Sequence, residues 1–385
     1  MSLFRMFALS LLLVTAAAGC TKPQTKTEAE AQPLADPTFF ASENPKSLKD
    51  WGMVQVSGGS LVLGERVVSY DLTTPLFTDY AQKLRTVWMP AGVSADYNPD
   101  DALSFPVGTV ITKTFFYQTG KNGQVLQNAD QALIHDGDGL DLEHVRMIET
   151  RLLIHREEGW AALTYLWNDA QTEAVLHRIG EAVPLTLVRE NGTKEPFNYI
   201  VPNVTQCSAC HATNVATRVI QPIGPKARLM NHDFTFAGKS ENQLTRLVDM
   251  GYLKGLPAQK ELPLQVSWVD TTASVDARAR AYLDVNCGHC HTPQGPAGTS
   301  GLYLDASATQ PKPTGVCKLP VAAGAGTGNL LYDIVPGKAD KSIIPYRMHS
   351  INAAEMMPEI GRSTRDDEGI ALIRFWIDAM EGSCQ

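Results

Sequence analysis

Between residues 51 and 201, apolar and polar positions alternate in short runs bounded by turn residues, the period of two that turns one side of a strand toward a core. Residues 105–117 open on Pro106-Val107-Gly108. They continue through Val110, Ile111, Thr112, Phe115, Phe116 and Tyr117, the β-branched and aromatic types that fill a pleated, half-buried surface. Residues 148–155 alternate in part, and after the turn Glu157-Glu158-Gly159, residues 160–167 read as the returning arm of a hairpin. Shorter strands are expected over 174–177 and 185–188. This half predicts an antiparallel β-sandwich or barrel-like domain. Farther along the period lengthens to that of a helix. Residues 242–253 put Leu244, Leu247, Val248 and Leu253 on one face, and Ser274 caps a segment, 275–285, with Val275, Ala279, Tyr282 and Leu283 on one face. Residues 366–380 carry Ile370, Ile373, Ile377 and Met380 at steps of three and four.

Chemistry enters in the second half. The pattern Cys-x-x-Cys-His occurs twice, as Cys207-Ser208-Ala209-Cys210-His211 and Cys287-Gly288-His289-Cys290-His291. It is the attachment signature of a c-type haem. Two intervening residues let both sulfurs reach one edge of a flat ring and add across its vinyl groups, and the next residue turns its imidazole under the iron. With only 7 Cys and 9 His in 385 residues, chance does not supply two copies. A zinc ribbon would need no histidine after each pair, and thioredoxin-like chemistry would need one pair. Two covalently bound haem c groups are therefore expected, with Cys207, Cys210, Cys287 and Cys290 as attachment points and His211 and His291 as proximal ligands.

The N-terminus suits an exported protein, which such attachment requires. Arg5 precedes an apolar run, 6–14, too short to span a bilayer, and small residues lead to Cys20. The Ala18-Gly19-Cys20 ending resembles the lipobox of bacterial lipoproteins, which implies removal of the signal peptide that precedes Cys20 and lipidation of Cys20 as the first residue of the mature chain. Thr21 after the cysteine favours the outer membrane. Residues 21–50 read as a flexible tether. The expected location is the periplasm, anchored to the membrane through lipid. A net charge of −8 argues against nucleic acid as a partner. Setting aside Cys20 and the four motif cysteines leaves Cys317 and Cys384 as a candidate disulfide. The acidic run Asp136-Gly137-Asp138-Gly139-Leu140-Asp141 lacks the ligand spacing of an EF-hand and reads as a solvated turn.

Gly224-Pro225 lies where the Pro225 carbonyl could accept the Nδ1 proton of His211. The distal ligand of the first haem is open among Met230, His232, Met250 and residues of the β-rich half (Met89, His135, His144, His155), with Met230 taken as the candidate. For the second haem, a thioether on the loop before the terminal helix is expected, Met357 beside Pro358, with Met356 or Met348 as substitutes.

Several stretches carry a family resemblance: Phe105-Pro106-Val107-Gly108-Thr109, Glu149-Thr150-Arg151-Leu152-Leu153, Pro222-Ile223-Gly224-Pro225-Lys226, Tyr282-Leu283-Asp284-Val285-Asn286-Cys287, Asp333-Ile334-Val335-Pro336-Gly337 and Met357-Pro358-Glu359. In these the chain resembles the two-haem c-type cytochrome lipoproteins of Gram-negative bacteria. Its last block is similar to the class I cytochrome c domains appended to quinoprotein dehydrogenases, where the Met-Pro methionine is the distal ligand. The resemblance implies an α+β multidomain fold: an antiparallel β-rich domain over 51–201, then two mainly α, cytochrome c-like haem regions at 202–270 and 271–385. It implies electron transfer between a redox partner protein (a dehydrogenase or another cytochrome) and an acceptor. Two alternatives stand beside it: a peroxidase-like diheme enzyme with an open first haem, and a docking subunit of a dehydrogenase complex.

Overall fold

The alternating half of the chain forms strands. The computed structural model describes residues 35–128, 139–236, 238–321 and 323–385. Outside these lie the leader with Cys20, residues 21–34 of the expected tether, His135 and residues 136–138 of the acidic turn; residues 35–50, expected as tether, instead join the folded part, with Leu48 buried and Leu176 N–H bonded to the Lys46 carbonyl. In chain order the strands are β1 (Val54–Ser57), β2 (Ser60–Leu63), β3 (Val68–Tyr70), β4 (Gln82–Trp88), β5 (Ala95–Asp96), β6 (Val110–Gln118), β7 (Val125–Leu126) and β8 (Gly139–Asp141). There follow β9 (Val145–Arg156), β10 (Gly159–Trp167), β11 (Ala174–Leu176), β12 (Glu181–Val188), β13 (Lys194–Val201), β14 (Asp233–Phe236), β15 (Lys239–Asn242) and β16 (Leu253–Lys254). The helices are α1 (Cys207–His211), α2 (Ala227–Met230), α3 (Gln243–Asp249), α4 (Val275–Leu283), α5 (Ile343–His349) and α6 (Asp367–Asp378).

A six-stranded sheet in the order β11-β10-β9-β6-β4-β3 is the frame. Its strand pairs are antiparallel, and the β9–β10 hairpin turns between Arg156 and Gly159. The strand expected from residue 105 begins at Val110, because residues 106–109 close a turn in which Thr109 donates to the Pro106 carbonyl through both N–H and Oγ1. Because side chains alternate across the sheet, Leu84, Val110, Leu152, Ile154, Leu163 and Tyr165 face one way and pack with Trp51, Met53 and Leu61 beneath the small sheet β1-β2-β8. Polar residues on that face pair with each other: Thr86 with Thr112 at 2.6 Å and Thr114 with Thr150 at 2.8 Å. The opposite face carries Val87 and Ile111, which pack with Leu103, Leu229 and Leu244.

The remainder of the chain covers that second face. It departs from the expected fold class: the protein is β-rich with several sheets, and its helices are short, the longest described one having 12 residues. Two mainly α cytochrome-like regions are absent among the described residues. The reason is local. Residues 233–242, where a helix was expected to start near 240, form the hairpin β14–β15. The side chain of Asn242 then accepts from the N–H groups of Leu244 and Thr245, so α3 starts only after it. Leu253, expected on the helix face, pairs with Ala95 in a sheet instead. Beyond α4 the chain runs through turns and single 3-10 turns up to α5. Helices α4 and α6 cross closely, and Gly369 makes that possible: a Cβ there would lie 2.5 Å from the Tyr282 ring. The chain from Leu34 to Gln385 forms one compact unit. No described helix is long and apolar enough to cross a membrane.

The frame is tied to the C-terminal segment by Asp79. Its buried carboxylate accepts from Ser363 N–H (2.7 Å), Thr364 N–H (2.7 Å) and Thr364 Oγ1 (2.9 Å). Asp79→Ala is expected to cost about 1.5–3 kcal/mol, the range for hydrogen bonds to a charged group. Urea unfolding measures the cost, and faster amide exchange at Ser363 and Thr364 places it; unchanged exchange there would refute the tie.

Candidate functional site

The first Cys-x-x-Cys-His motif is presented by a capped turn. Strand β13 ends at Val201, and Asn203 then accepts from Thr205 N–H and Gln206 N–H, while Gln206 Oε1 accepts from Asn203 N–H at 2.9 Å. That closed box starts the single helical turn α1, on which Cys207, Cys210 and His211 sit. The Nδ1–H of His211 donates to the Gln221 carbonyl at 2.8 Å. Pro225 does not take this role, for its carbonyl accepts Leu103 N–H. The chain folds back ten residues after the histidine, because Gln221 N–H also bonds the His211 carbonyl and Gln221 Nε2 bonds Thr213 Oγ1. Burial foremost, with Lys113 next, holds the His211 imidazole down to about 3, so it is neutral at pH 7 with Nε2 unprotonated.

The second motif follows α4 through a wide π turn, Asp284–Gly288. Gly288 has to be glycine, since a Cβ would lie 2.8 Å from Asp305 Cα. Asp284 is held by Arg228, whose Nη2 reaches both carboxylate oxygens at 2.8 and 3.1 Å, and it accepts Ala306 N–H. Asn286 accepts Phe77 N–H at 2.8 Å, which fastens this motif to the β-rich half. The Nδ1–H of His291 donates to the Leu302 carbonyl at 3.2 Å, and burial lowers this imidazole as well.

Both motifs line a single cavity of about 1920 Å³. Ligand pockets for drug-sized molecules are about 300–1,000 Å³, so this one has room for two large flat groups. The motifs also touch: the Cys290 thiol points at the Ala209 carbonyl, 3.7 Å away, and Val215 N–H donates to Gln294 O at 2.9 Å. All four motif cysteines are free thiols. Burial pushes Cys287 and Cys290 up to about 12 and raises Cys207 and Cys210 too. A disulfide-exchange site or a zinc site needs thiolates, which a lowered pKa supplies; these thiols are set the opposite way. The chemistry of the donor set fits c-type haem: paired neutral thiols, neutral imidazoles with Nδ1 tied to carbonyls, and an apolar wall.

Met348, Met356 and Met357 reach the cavity beside the second motif. Arg362 organises their loop. This buried guanidinium donates to four carbonyls: Thr364 (3.0 Å), Arg347 (3.3 Å), Ser350 (2.8 Å) and Met357 (3.0 Å). Met230 is not brought to the cavity. It is 1% exposed and packs with Leu72, Leu103 and Leu229, while its carbonyl accepts from Gln243. His232, Met250, Met89, His144 and His155 do not line the cavity either. Cys317 and Cys384 are bonded, with Cα atoms 5.3 Å apart, closing a loop of 67 residues.

Beside the first motif the wall is basic. Lys83, Arg85, Lys113 and Arg151 project from β4, β6 and β9 into the cavity. Burial, then Arg151 and Arg85, brings Lys113 down to about 7, and burial takes Lys83 well below its ordinary value. Sequence reasoning passed over this wall, although charges at alternate positions inside otherwise apolar strands are a legible signal. Arg362 and Asp79 were missed too; their partners are backbone groups that no side-chain pattern reveals.

No family model, curated protein or solved structure matches this chain. The resemblance to two-haem cytochrome lipoproteins with a class I cytochrome c domain is thereby overturned. The fold agrees with that correction, being built of sheets with short helices. Among the described residues no group of three or more His, Cys, Asp or Glu could hold a metal ion by itself. What can be argued about cofactors rests on the motifs and the cavity of this chain, whose residues would offer an iron a single histidine and a thioether rather than a metal cage.

Arg362→Met removes the donor shared by four carbonyls. A loss of about 3 kcal/mol or more is expected, with faster amide exchange across 347–357. Retained protection of that loop would show that Arg362 does not organise it.

Proposed function

We propose that the protein transfers electrons through two covalently bound c-type haems, one at Cys207, Cys210 and His211, the other at Cys287, Cys290 and His291. The observation that carries this reading is the shared cavity, into which both motifs open while touching each other. When bound, haem would supply reversible one-electron chemistry at iron. The chain's own residues do the rest. His211 and His291 offer Nε2, with ring orientation and basicity set by the Gln221 and Leu302 carbonyls. Met357, on the loop that Arg362 braces, offers a soft sulfur that favours the reduced state. Buried walls limit water and so the reorganisation that accompanies a change of charge.

The partner is a redox protein, a dehydrogenase or another cytochrome. Lipid on Cys20 would hold the protein at the periplasmic face of a membrane, the outer one by the residue that follows. The residues between Cys20 and the compact unit that begins at Leu34, at about 3.3–3.6 Å per residue when extended, would let the folded part range away from the lipid to meet that partner. One observation favours a second reading. The methionines of the cavity wall, Met348, Met356 and Met357, all follow the second motif in the chain, and none comes from the stretch that carries the first. A redox enzyme with an open position at the first iron is that second reading.

The deciding measurement is the intact mass and haem content of the protein made in a host that attaches c-type haem. Two haems per chain are expected, and one in the double variant Cys207→Ser, Cys210→Ser; a mass equal to the bare chain would sink the proposal. Met357→Ala should abolish a sulfur-to-iron charge-transfer band and lower one of two midpoint potentials. Two low-spin ferric EPR signals would support the carrier, and a stoichiometric high-spin signal the enzyme. Cys20→Ser should move the protein from membranes to the soluble periplasmic fraction; retention on membranes would mean another anchor.

A further inference from the structure

We propose that the cross-strand row Arg85–Lys113–Arg151 binds a carboxylate or another small oxyanion on the cavity wall beside the first Cys-x-x-Cys-His motif. The register puts these residues directly opposite one another: Arg85 with Lys113, and Lys113 with Arg151. All three line the cavity, as does Lys83 two residues before Arg85. Like charges directly opposite on neighbouring strands are destabilising, and burial makes them more so.

Two carboxylates lie among these four basic side chains. Asp71 accepts from Arg85 Nη1 at 3.0 Å and is itself partly exposed. Glu149, fully buried, takes Arg151 Nε and Nη2 at 2.9 and 2.5 Å and Tyr199 OH at 2.7 Å. Lys113 makes no ion pair among the described residues. Its ammonium lies 5.1 Å from the centre of the Phe115 ring, a ring that Lys83 and Arg151 also approach. Positive charge that served solubility would face bulk water. Here it faces a cavity, at a place where Arg85 and Arg151 each keep donors beyond those used on Asp71 and Glu149. Arginine forks and a lysine between them are suited to planar oxyanions.

Two sources supply that chemistry: the carboxylate side chains of a tetrapyrrole fixed at Cys207 and Cys210, or a free small anion. The first rests on the reading under Proposed function; the second does not. The test uses the full-length protein, its haem content measured first. If the tetrapyrrole is the source, the propionate bending mode in resonance Raman shifts in Lys113→Met and returns in Lys113→Arg, and acetate leaves the wild-type melting temperature where chloride of equal ionic strength leaves it. If a free anion is the source, acetate raises the wild-type melting temperature saturably over chloride, and Lys113→Met weakens that effect at least about tenfold. With both haems present, no Raman shift and no acetate effect overturn the site. With no haem present, the electron-transfer reading fails on its own, and the acetate titration of the wild-type chain decides the row: a saturable shift supports it, and none overturns it. The acetate arm needs no variant, so a misfolded substitution does not remove the test.

Discussion

The buried carboxylate of Asp79 joins parts of the chain 285 residues apart, and the cavity depends on that joint. Asp79 and Tyr80 both adopt left-handed φ values, 48° and 65°, which non-glycine residues avoid at a cost of about 1–3 kcal/mol each. The surroundings over-determine them. Three donors from Ser363 and Thr364 hold the carboxylate, and Tyr117 OH donates to the Asp79 carbonyl at 2.8 Å. The Tyr80 hydroxyl bonds Glu368 at 2.7 Å and accepts Asp367 N–H. The sheet edge is thereby clamped to the N-terminus of α6 and to the strand of chain leading out of the methionine loop. Residues of the sheet and of that loop both line the cavity, and this clamp ties the two together.

Buried charge elsewhere follows one rule. Where it is structural, its hydrogen bonds are filled by the protein: Arg362 by four carbonyls, Asp284 by Arg228 and Ala306, Glu149 by Arg151 and Tyr199. Lys113 breaks the rule: it lies on the cavity wall with no ion pair among the described residues, whereas Lys83 Nζ beside it donates to the Ala81 carbonyl at 2.9 Å. A protein that placed Lys113 for stability alone would gain from an apolar residue of similar size, as buried ionic groups often show on replacement. The position of Lys113 next to the first motif therefore carries functional weight that Arg362, its donors filled by carbonyls, does not.

The hairpin, the two motifs and the terminal helix were legible because each is written in contiguous residues: an alternation, a five-residue signature, a step of three and four. Helix α6 begins where Asp366 accepts Gly369 N–H, close to where the periodicity begins. The fold class was not legible. It was taken from resemblance in short stretches, and stretches such as Tyr282-Leu283-Asp284 specify a local turn without specifying that long helices surround it. Asn242 illustrates the difference: the apolar pattern over 242–253 is helical, yet capping by its side chain and the pairing of Leu253 with Ala95 leave a helix of seven residues. The partner of His211 was illegible for a related reason. A carbonyl acceptor has no sequence identity, so the expectation fell on Pro225 and the fold used Gln221 instead.

The closeness of the two motifs bears on which reading of function is economical. Groups attached at α1 and at the π turn would share one enclosure because Cys290 lies against Ala209 and Gln294 against Val215. A single-site enzyme needs no second motif at that distance, whereas a carrier that accepts an electron at one surface and gives it up at another needs the two groups adjacent. A thioether offered to one haem and not to the other would then separate the two potentials, because a soft sulfur ligand favours the reduced state.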